Sequence, residues 1–248
     1  MDYYTTCNTL LKVFWVLGPF ALFYDAPFGR FGDGASRFSL NGRITWFIME
    51  LLSPLSFVAA VGTSVSTPLN TLQTTATALF LAHYLNRAVI YPLLSPSSSP
   101  SHLLVLVSAA TFNIANGSLQ GKYIAELDVF DGFGRIGVFG ILLTLLGFAG
   151  NVYHDSILFK IKRECNGGYE IPQRGLFKHI SYPNYFCEWI EWSGYALFTH
   201  SKSTKDPPIM FIIALLATMA PRAYKGHQWY KSNFKYPESR KIVIPWLF

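Results

Sequence analysis

The sequence has 248 residues, of which 51% are hydrophobic and only 14% are charged. Roughly a quarter of the residues of an ordinary soluble domain are charged, so this composition excludes such a domain and indicates an integral membrane protein. The formal net charge of +6 does not indicate a nucleic-acid-binding protein, because the Lys and Arg residues are spread between apolar segments and form no dense basic face.

Apolar segments follow one another along the chain, each close to the roughly 20 residues that cross a hydrocarbon core. They cover residues 8–25, 43–62, 74–94, 101–119, 134–154, 178–199 and 207–223. A membrane-spanning segment must satisfy its own backbone hydrogen bonds, and the alternating pattern of a β-barrel strand is not seen. The sequence therefore predicts an all-α integral membrane protein of seven transmembrane helices, in a single domain covering residues 1–248.

The basic residues predict the orientation of these helices. The first, third and fifth loops and the C-terminal tail share one side of the membrane, and that side carries most of the Lys and Arg residues. By the positive-inside rule this side is cytosolic and the N-terminus is lumenal, which requires an odd number of spans. The first segment is expected to be retained, because Lys12 interrupts it and no small-residue cleavage site follows before Pro27.

The cysteines predict neither a metal site nor a disulfide. Cys7, Cys165 and Cys187 lie far apart and form no CxxC pair, so we expect free thiols and no bound metal.

Ionisable residues within the second and third segments are the first sign of a site. Glu50 lies near the middle of the second segment, and Tyr84, Arg87 and Tyr91 recur at i, i+3 and i+7 in the third. Such groups are costly at membrane depth, so they are expected to face the interior of the bundle and to line a polar cavity. The alternative is a structural ion pair between Glu50 and Arg87, and these residues alone do not decide between the two.

Further polar residues follow at helical spacing in the later segments. They are Asn151 and Asp155 in the fifth, Asn184, Glu188 and Glu191 in the sixth, and Arg222, His227 and Tyr230 in the last. Taken singly, each is readily explained as a capping or interfacial residue. Together they predict a polar lining that faces the cytosolic side, where a charged cofactor can enter and meet basic groups. The Gly-rich stretches at 29–34 and 167–175 do not follow a strand, so no Rossmann domain is indicated.

The order and spacing of these motifs resemble the steroid 5-alpha-reductases, the membrane 3-oxo-5-alpha-steroid 4-dehydrogenases, over nearly the whole chain. The motifs that carry the resemblance are Trp46-Phe-Ile-Met-Glu50-Leu, His83-Tyr84 with Arg87 and Tyr91, Asn116-Gly with Leu119-Gln120, Asn151 with Asp155, Tyr169-Glu-Ile-Pro172-Gln-Arg-Gly-Leu-Phe177, Asn184 with Glu188, Glu191-Trp-Ser-Gly-Tyr-Ala196, Arg222-Ala223, Tyr230 and Ser239-Arg-Lys-Ile-Val-Ile-Pro245.

The resemblance implies transfer of hydride from NADPH to the β-carbon of an enone, which reduces the Δ4 double bond of a 3-oxo-steroid to the 5α product. It also implies that Glu50 and Tyr84 are the catalytic pair and hydrogen-bond the ketone oxygen. Negative charge develops on that oxygen as hydride arrives, so donors fixed in a dry site stabilise it. Glu50 must be protonated to donate, and a low-dielectric site favours the neutral form of a carboxyl group.

The same resemblance assigns the remaining site residues. The residues implied to hold NADPH or to lie near it are Arg87, Tyr91, Asn151, Asp155, Lys162, Tyr169, Asn184, Glu188, Arg222, His227 and Tyr230. Lys162 stands where relatives use arginine, so it keeps the charge but loses the planar fork that grips a phosphate. Trp46 and Phe112 match positions that line the substrate pocket, for which ordinary helix packing is the alternative.

Departures from the family pattern concern the substrate and the cofactor rim more than the reaction. Met49 replaces a glutamine, Phe28 a tyrosine and Glu170 a basic residue. Reductases of enoyl thioesters or polyprenols are the nearest alternative, and residues 177–185 weakly resemble a motif of membrane methyltransferases that use S-adenosylmethionine. A seven-span receptor or scaffold is a further alternative. The family implies residence in the endoplasmic reticulum membrane, with a steroid or sterol-like lipid as substrate and no nucleic acid or metal as partner.

Overall fold

A computed structural model describes residues 2–24, 27–32, 35–65, 67–96, 99–127, 133–166 and 168–248. The described chain is almost entirely helical. Its α-helices are α1 (Tyr3–Leu17), α2 (Gly42–Ser64), α3 (Thr71–Tyr84), α4 (Tyr91–Leu94), α5 (Leu103–Ala125), α6 (Arg135–Glu164), α7 (Pro183–Phe198) and α8 (Pro207–Asn233). Short 3₁₀ turns cover Gly18–Leu22, Gly29–Phe31 and Gly175–Lys178, and strands β1 (Ser39–Leu40) and β2 (Ser101–His102) pair antiparallel.

The helical fold class and the membrane character are confirmed. Within the described residues, α2, α5, α6 and α8 are each long and apolar enough to cross a membrane. The helices α1 and α7 have 15 and 16 residues, fewer than the roughly 20 that a span requires. Helix α3 has 14 residues but continues without a break as far as Leu94. All three nevertheless coincide with predicted segments, so seven spans stays a prediction.

Two helices continue beyond the predicted apolar segments. Helix α6 ends at Glu164 and α8 at Asn233, where hydropathy predicted ends at residues 154 and 223. Hydropathy marks only the part of a helix that lies in hydrocarbon, and both helices continue with polar residues beyond it. These extra turns carry candidate cofactor residues, among them Lys162 and Tyr230.

Two helix pairs pack with their backbones in close approach. A side-chain carbon on Gly117 or Gly121 of α5 would clash with the α2 backbone at Ser53 or Phe57. On the other side of the bundle, a carbon on Gly147 of α6 would clash with the α7 backbone. Small residues drive helix association in lipid because they allow this close packing. The α2–α5 and α6–α7 pairs therefore form two rigid walls.

A π-helical turn, Leu85–Ile90, joins α3 to α4 in one continuous helical rod. The backbone N–H of Tyr91 bonds to the carbonyl of Asn86, five residues earlier. Such wide turns occur mostly as single turns within α-helices and are frequent at functional sites. This turn carries Arg87. Its wider winding rotates the side chains that follow relative to those of α3, which the regular i, i+3 and i+7 spacing did not predict.

Candidate active site

Two cavities meet between the two helix pairs. The first, here called the core cavity, has a volume of about 280 Å³ and is lined by Glu50, Tyr84, Phe112 and Glu188 among others. The second, called the loop cavity, has a volume of about 260 Å³ and is lined by Tyr91, Lys162, Tyr169, Asn184 and Tyr230 among others. The residues that line both are Phe28, Trp46, Met49, Arg87, Tyr185 and Arg222. The site is therefore one cleft with two compartments.

Helix α2 positions Glu50 through its N-cap and through Trp46. The Asn41 side chain accepts hydrogen bonds from the backbone N–H groups of Arg43 and Ile44, which fixes where the helix begins. One turn later the indole Nε1 of Trp46 donates to the carbonyl oxygen of Arg87 at 3.0 Å. Glu50 follows Trp46 at i+4 and so lies on the same face, towards the core cavity.

Tyr84 is the last residue of α3, and its phenol oxygen is held from behind. Asn116 Nδ2 lies 3.3 Å from Tyr84 Oη and donates to it, while Gln120 Nε2 lies 3.4 Å from Asn116 Oδ1. Asn116 and Gln120 are completely buried. Because Asn116 fills an acceptor position on the phenol oxygen, the phenol O–H is left to donate into the core cavity.

Arg87 occupies the junction between the two compartments. Its guanidinium nitrogens lie 3.7 Å from Asp155 Oδ2 and 3.9 Å from Glu188 Oε2. The guanidinium carbon lies 4.7 Å from the ring centre of Trp46 and 5.2 Å from that of Tyr91. Within the described chain Arg87 and Glu50 form no ion pair, so the structural pairing considered as an alternative is not formed.

Helices α6 and α7 are joined behind the cleft by a network of amides and carboxylates. Asn151 Nδ2 donates to the carbonyl oxygen of Asn184 at 3.0 Å and to Glu188 Oε2 at 3.3 Å, and Asn184 Nδ2 donates to Asp155 Oδ1 at 3.0 Å. Asp155 Oδ2 and Asn184 Oδ1 are buried with no hydrogen-bond partner among the described residues. Buried polar atoms are normally satisfied. Asp155 Oδ2 lies in the ion pair with Arg87, so Asn184 Oδ1, on the loop cavity, indicates a place where a ligand donates.

Arg222 of α8 closes the cleft on the side of the first loop. Its guanidinium carbon lies 3.5 Å from the ring centre of Phe28, and Nη2 lies 3.4 Å from the Phe28 carbonyl oxygen. Both residues line both cavities. A planar cation stacked on an aromatic ring is well placed to meet an anionic group entering from the loops.

Three of the residues predicted to contact cofactor lie behind the cavity walls. Asn151 and Asp155 line neither cavity and belong to the network just described. His227 also lies outside both linings, and its Nδ1 is 2.6 Å from the hydroxyl oxygen of Ser181, which lines the loop cavity. These three residues therefore position residues of the cavity surface, namely Asn184 and Ser181.

Two contacts that define the site were not predicted from the sequence. One is the support of Tyr84 by Asn116, and the other is a contact of 2.8 Å between His83 Nδ1 and Glu191 Oε1. The motifs contain all four residues, but their partners lie 32 and 108 positions away. No local spacing signals such pairings. The three cysteines are free thiols, as predicted.

Comparisons with known proteins identify the family. The family described as 3-oxo-5-alpha-steroid 4-dehydrogenase matches residues 99–248. An uncharacterized protein of Schizosaccharomyces pombe is 36% identical, with 99% of each chain covered. The 3-oxo-5-alpha-steroid 4-dehydrogenase 1 of Rattus norvegicus is 33% identical over 90% of this chain and 86% of its own. A steroid 5-alpha-reductase of Arabidopsis thaliana is 34% identical over 91% of this chain and 89% of its own. The chain belongs to the 3-oxo-5-alpha-steroid 4-dehydrogenase family.

Proposed function

We propose that this protein reduces the Δ4 double bond of a 3-oxo-steroid, or of a similar enone lipid, with NADPH, giving the 5α product. The observation that carries the proposal is the placement of Glu50 and Tyr84 on one cavity that meets a second, cation-lined cavity at Arg87. Hydrogen-bond donors are thereby held next to a compartment suited to an anionic cofactor. The names of the relatives supply the steroid.

The loop cavity fits a phosphorylated dinucleotide. Lys162 and Arg222 provide cationic groups for phosphates, and Tyr91, Tyr169 and Tyr230 provide rings and hydroxyls. The unpartnered acceptor Asn184 Oδ1 suits a hydroxyl or amide donor of such a ligand. When bound there, NADPH supplies the hydride that adds to the β-carbon of the enone.

Glu50 and Tyr84 act on the ketone oxygen of the substrate. Both line the core cavity, and the phenol oxygen of Tyr84 already accepts a hydrogen bond from Asn116. The O–H groups of Tyr84 and of protonated Glu50 donate to the ketone oxygen and stabilise the charge that develops on it. In a water-poor site, one such donor contributes about 10²–10³-fold to kcat.

The rest of the core cavity suits a flat apolar substrate. Trp46, Phe112 and Phe211 line it together with aliphatic residues. Phe112 packs edge-on against Phe14 with ring centres 4.9 Å apart, which stabilises its orientation. Apolar walls with a few convergent polar groups are typical of small-molecule sites, so these residues orient the ring system and exclude water.

The proposed location is the endoplasmic reticulum membrane, with the N-terminus lumenal and the C-terminal tail cytosolic. If the single domain has the predicted seven spans, the loop cavity lies on the side that carries most basic residues. NADPH then enters from the cytosol and the lipid substrate from the membrane.

The test is turnover by the purified protein with NADPH. We expect reduction of a testosterone-like enone, and no turnover of an enoyl thioester or a polyprenol. Tyr84→Phe and Glu50→Gln should each lower kcat by about 10²–10³-fold, because each removes one donor to the oxygen. The exposed residues Tyr153 and Glu126 offer matched controls, and Tyr153→Phe and Glu126→Gln should keep the parent rate.

Three outcomes contradict the proposal. Turnover of the thioester or polyprenol alone would change the substrate class, and stabilisation in detergent by S-adenosylmethionine but not by NADPH would favour a methyltransferase. Parent rates for folded Tyr84→Phe and Glu50→Gln would remove both residues from the site.

A further inference from the structure

His83 lines the core cavity beside Tyr84, and its ring is fixed on two sides. The Nδ1 atom lies 2.8 Å from Glu191 Oε1. The ring packs edge-on against Trp192, with ring centres 4.7 Å apart, and against Tyr84 at 5.0 Å. His83 and Glu191 are only 5% and 2% exposed, so this pair is shielded from bulk solvent. Nδ1 is held by Glu191, and Nε2 is the ring nitrogen left for a group in the cavity.

Negative charge is in excess around this pair. The carboxyl groups near the core cavity are Glu50, Asp155, Glu188 and Glu191, and the guanidinium groups are Arg87 and Arg222. Glu50 is protonated in the proposed function, which leaves three carboxylates facing two cations. Such an excess is unfavourable in a water-poor site, and uptake of one further proton relieves it. The second oxygen of Glu191, Oε2, is buried without a hydrogen-bond partner among the described residues. The pair is therefore suited to hold a proton next to the reaction site.

The proposed function leaves one step without a group to perform it. Reduction of an enone needs a hydride at the β-carbon and a proton at the α-carbon. Glu50 and Tyr84 both donate to the ketone oxygen, so neither is free to protonate carbon in the same geometry. The proton then comes from a water molecule or from a third group on the cavity wall, and His83 is a titratable residue of that wall with no role so far.

We propose that His83 is the acid that protonates the α-carbon of the substrate, with Glu191 as its positioning residue. This inference rests on the proposed function. Addition of hydride leaves an enolate whose oxygen is held by Tyr84 and Glu50. The enolate double-bond pair then forms a bond to the Nε2 proton of protonated His83, the N–H pair remains on nitrogen, and the ketone is regenerated. Neutral His83 regains a proton from solvent, so one hydride and one proton are consumed per turnover.

The experiment separates the two halves of the reaction with isotopes. The rate with NADPH deuterated at the transferred position reports hydride transfer, and the rate in D₂O reports proton transfer. For His83→Gln we expect kcat to fall by about 100-fold or more, the usual contribution of a general acid. Protonation then limits the rate, so the solvent isotope effect on kcat increases and the effect of the deuterated cofactor falls towards 1. The affinity for NADPH should stay at the parent value.

A purely structural role of His83 predicts different results. Either a kcat within about twofold of the parent, or a lower kcat with both isotope effects unchanged, would overturn the proposal. If His83→Gln does not fold, Glu191→Gln is measured in its place. Its kcat should fall by about 10-fold, with the same changes in the two isotope effects. The same two outcomes would overturn the proposal. His200→Gln is the control, because His200 follows α7 outside both cavities, and it should keep the parent kcat.

A second readout uses His83→Ala, which removes the acid and leaves space in the cavity. Added imidazole should restore part of its rate, and no restoration by any concentration that the parent tolerates would count against the proposal. The two proposals fail separately. A parent protein that reduces no 3-oxo-Δ4 steroid refutes the proposed function, whereas an active parent with a negative isotope experiment refutes only the role of His83.

Discussion

The two walls of the cleft satisfy their polar groups in different ways. On the α6–α7 wall, Asn151, Asp155, Asn184 and Glu188 bond to one another across the helix pair. On the opposite wall, where α3 packs against the α2–α5 pair, Glu50 makes no hydrogen bond to another described residue, and the phenol oxygen of Tyr84 accepts one from Asn116. A cross-bonded wall holds its shape before a ligand arrives, whereas donors left open are available to the reacting oxygen. We infer that the first wall binds and the second performs the chemistry.

We expect the largest effect when the cation between the two walls is removed. Arg87→Met leaves Asp155 and Glu188 buried without their positive partner. Breaking a buried pair in this way costs about 3–5 kcal/mol of stability. We expect the free energy of unfolding in detergent to fall by that amount and activity to be lost. Lys160→Met, at an exposed ion pair with Glu164, should change stability by less than about 0.5 kcal/mol; equal losses in both variants would refute the central role of Arg87.

The wall that carries Glu50 and Tyr84 is tested at Asn116, which holds the phenol of Tyr84. Asn116→Ala removes the donor to the phenol oxygen, so the O–H of Tyr84 is no longer aimed at the cavity. We expect kcat to fall by about 10–100-fold, less than the loss from Tyr84→Phe, because the phenol itself remains. The Kd for NADPH, measured by fluorescence, should not change. A change in Kd with an unchanged kcat would contradict the division of labour between the walls.

For the cross-bonded wall we expect the opposite result, a change in the affinity for NADPH without a change in kcat. Asn151→Ala removes the hydrogen bonds to the carbonyl of Asn184 and to Glu188. Without these bonds Asn184 and Glu188 are no longer held in place for the cofactor, so the Kd for NADPH should rise by about 5–30-fold, equivalent to roughly 1–2 kcal/mol. The kcat at saturating cofactor should stay near the parent value. A fall in kcat at saturation would show that this wall also contributes to the chemical step.

A smaller effect is expected from the apolar part of the core cavity. Phe112→Ala removes a ring from the cavity surface that is proposed to face the substrate. We expect the KM for the steroid to rise by about 3–10-fold, since only part of the ring surface is buried by substrate. The Kd for NADPH should be unchanged. An unchanged KM would mean that Phe112 serves helix packing alone.

The smallest effect is predicted at Lys162, at the rim of the loop cavity. Lys162→Arg restores the planar fork that is suited to a phosphate. The Kd for NADPH should fall by about 2–5-fold, whereas the Kd for NADH, which lacks the 2′-phosphate, should not change. Equal changes for the two cofactors would place Lys162 away from that phosphate.

Local features of the chain were enough to predict the helical membrane class and the ionisable residues at the centre of the cleft. Apolar segments signal helices because a span must satisfy its own backbone hydrogen bonds. Ionisable residues inside such segments stand out because they are costly in lipid. Glu50, Tyr84 and Arg87 could be selected on that basis, and all three line the cleft.

Tertiary packing alone decided which of these residues meet. The pairing of Arg87 with Asp155 and Glu188 rather than Glu50 depends on how α3, α6 and α7 approach one another. The π turn changes the direction of the side chains around Arg87, and the contact of His83 with Glu191 joins residues 108 positions apart. Helical spacing describes one helix at a time. The contacts between helices depend on the close packing of whole helix pairs, and no short stretch of sequence contains that information.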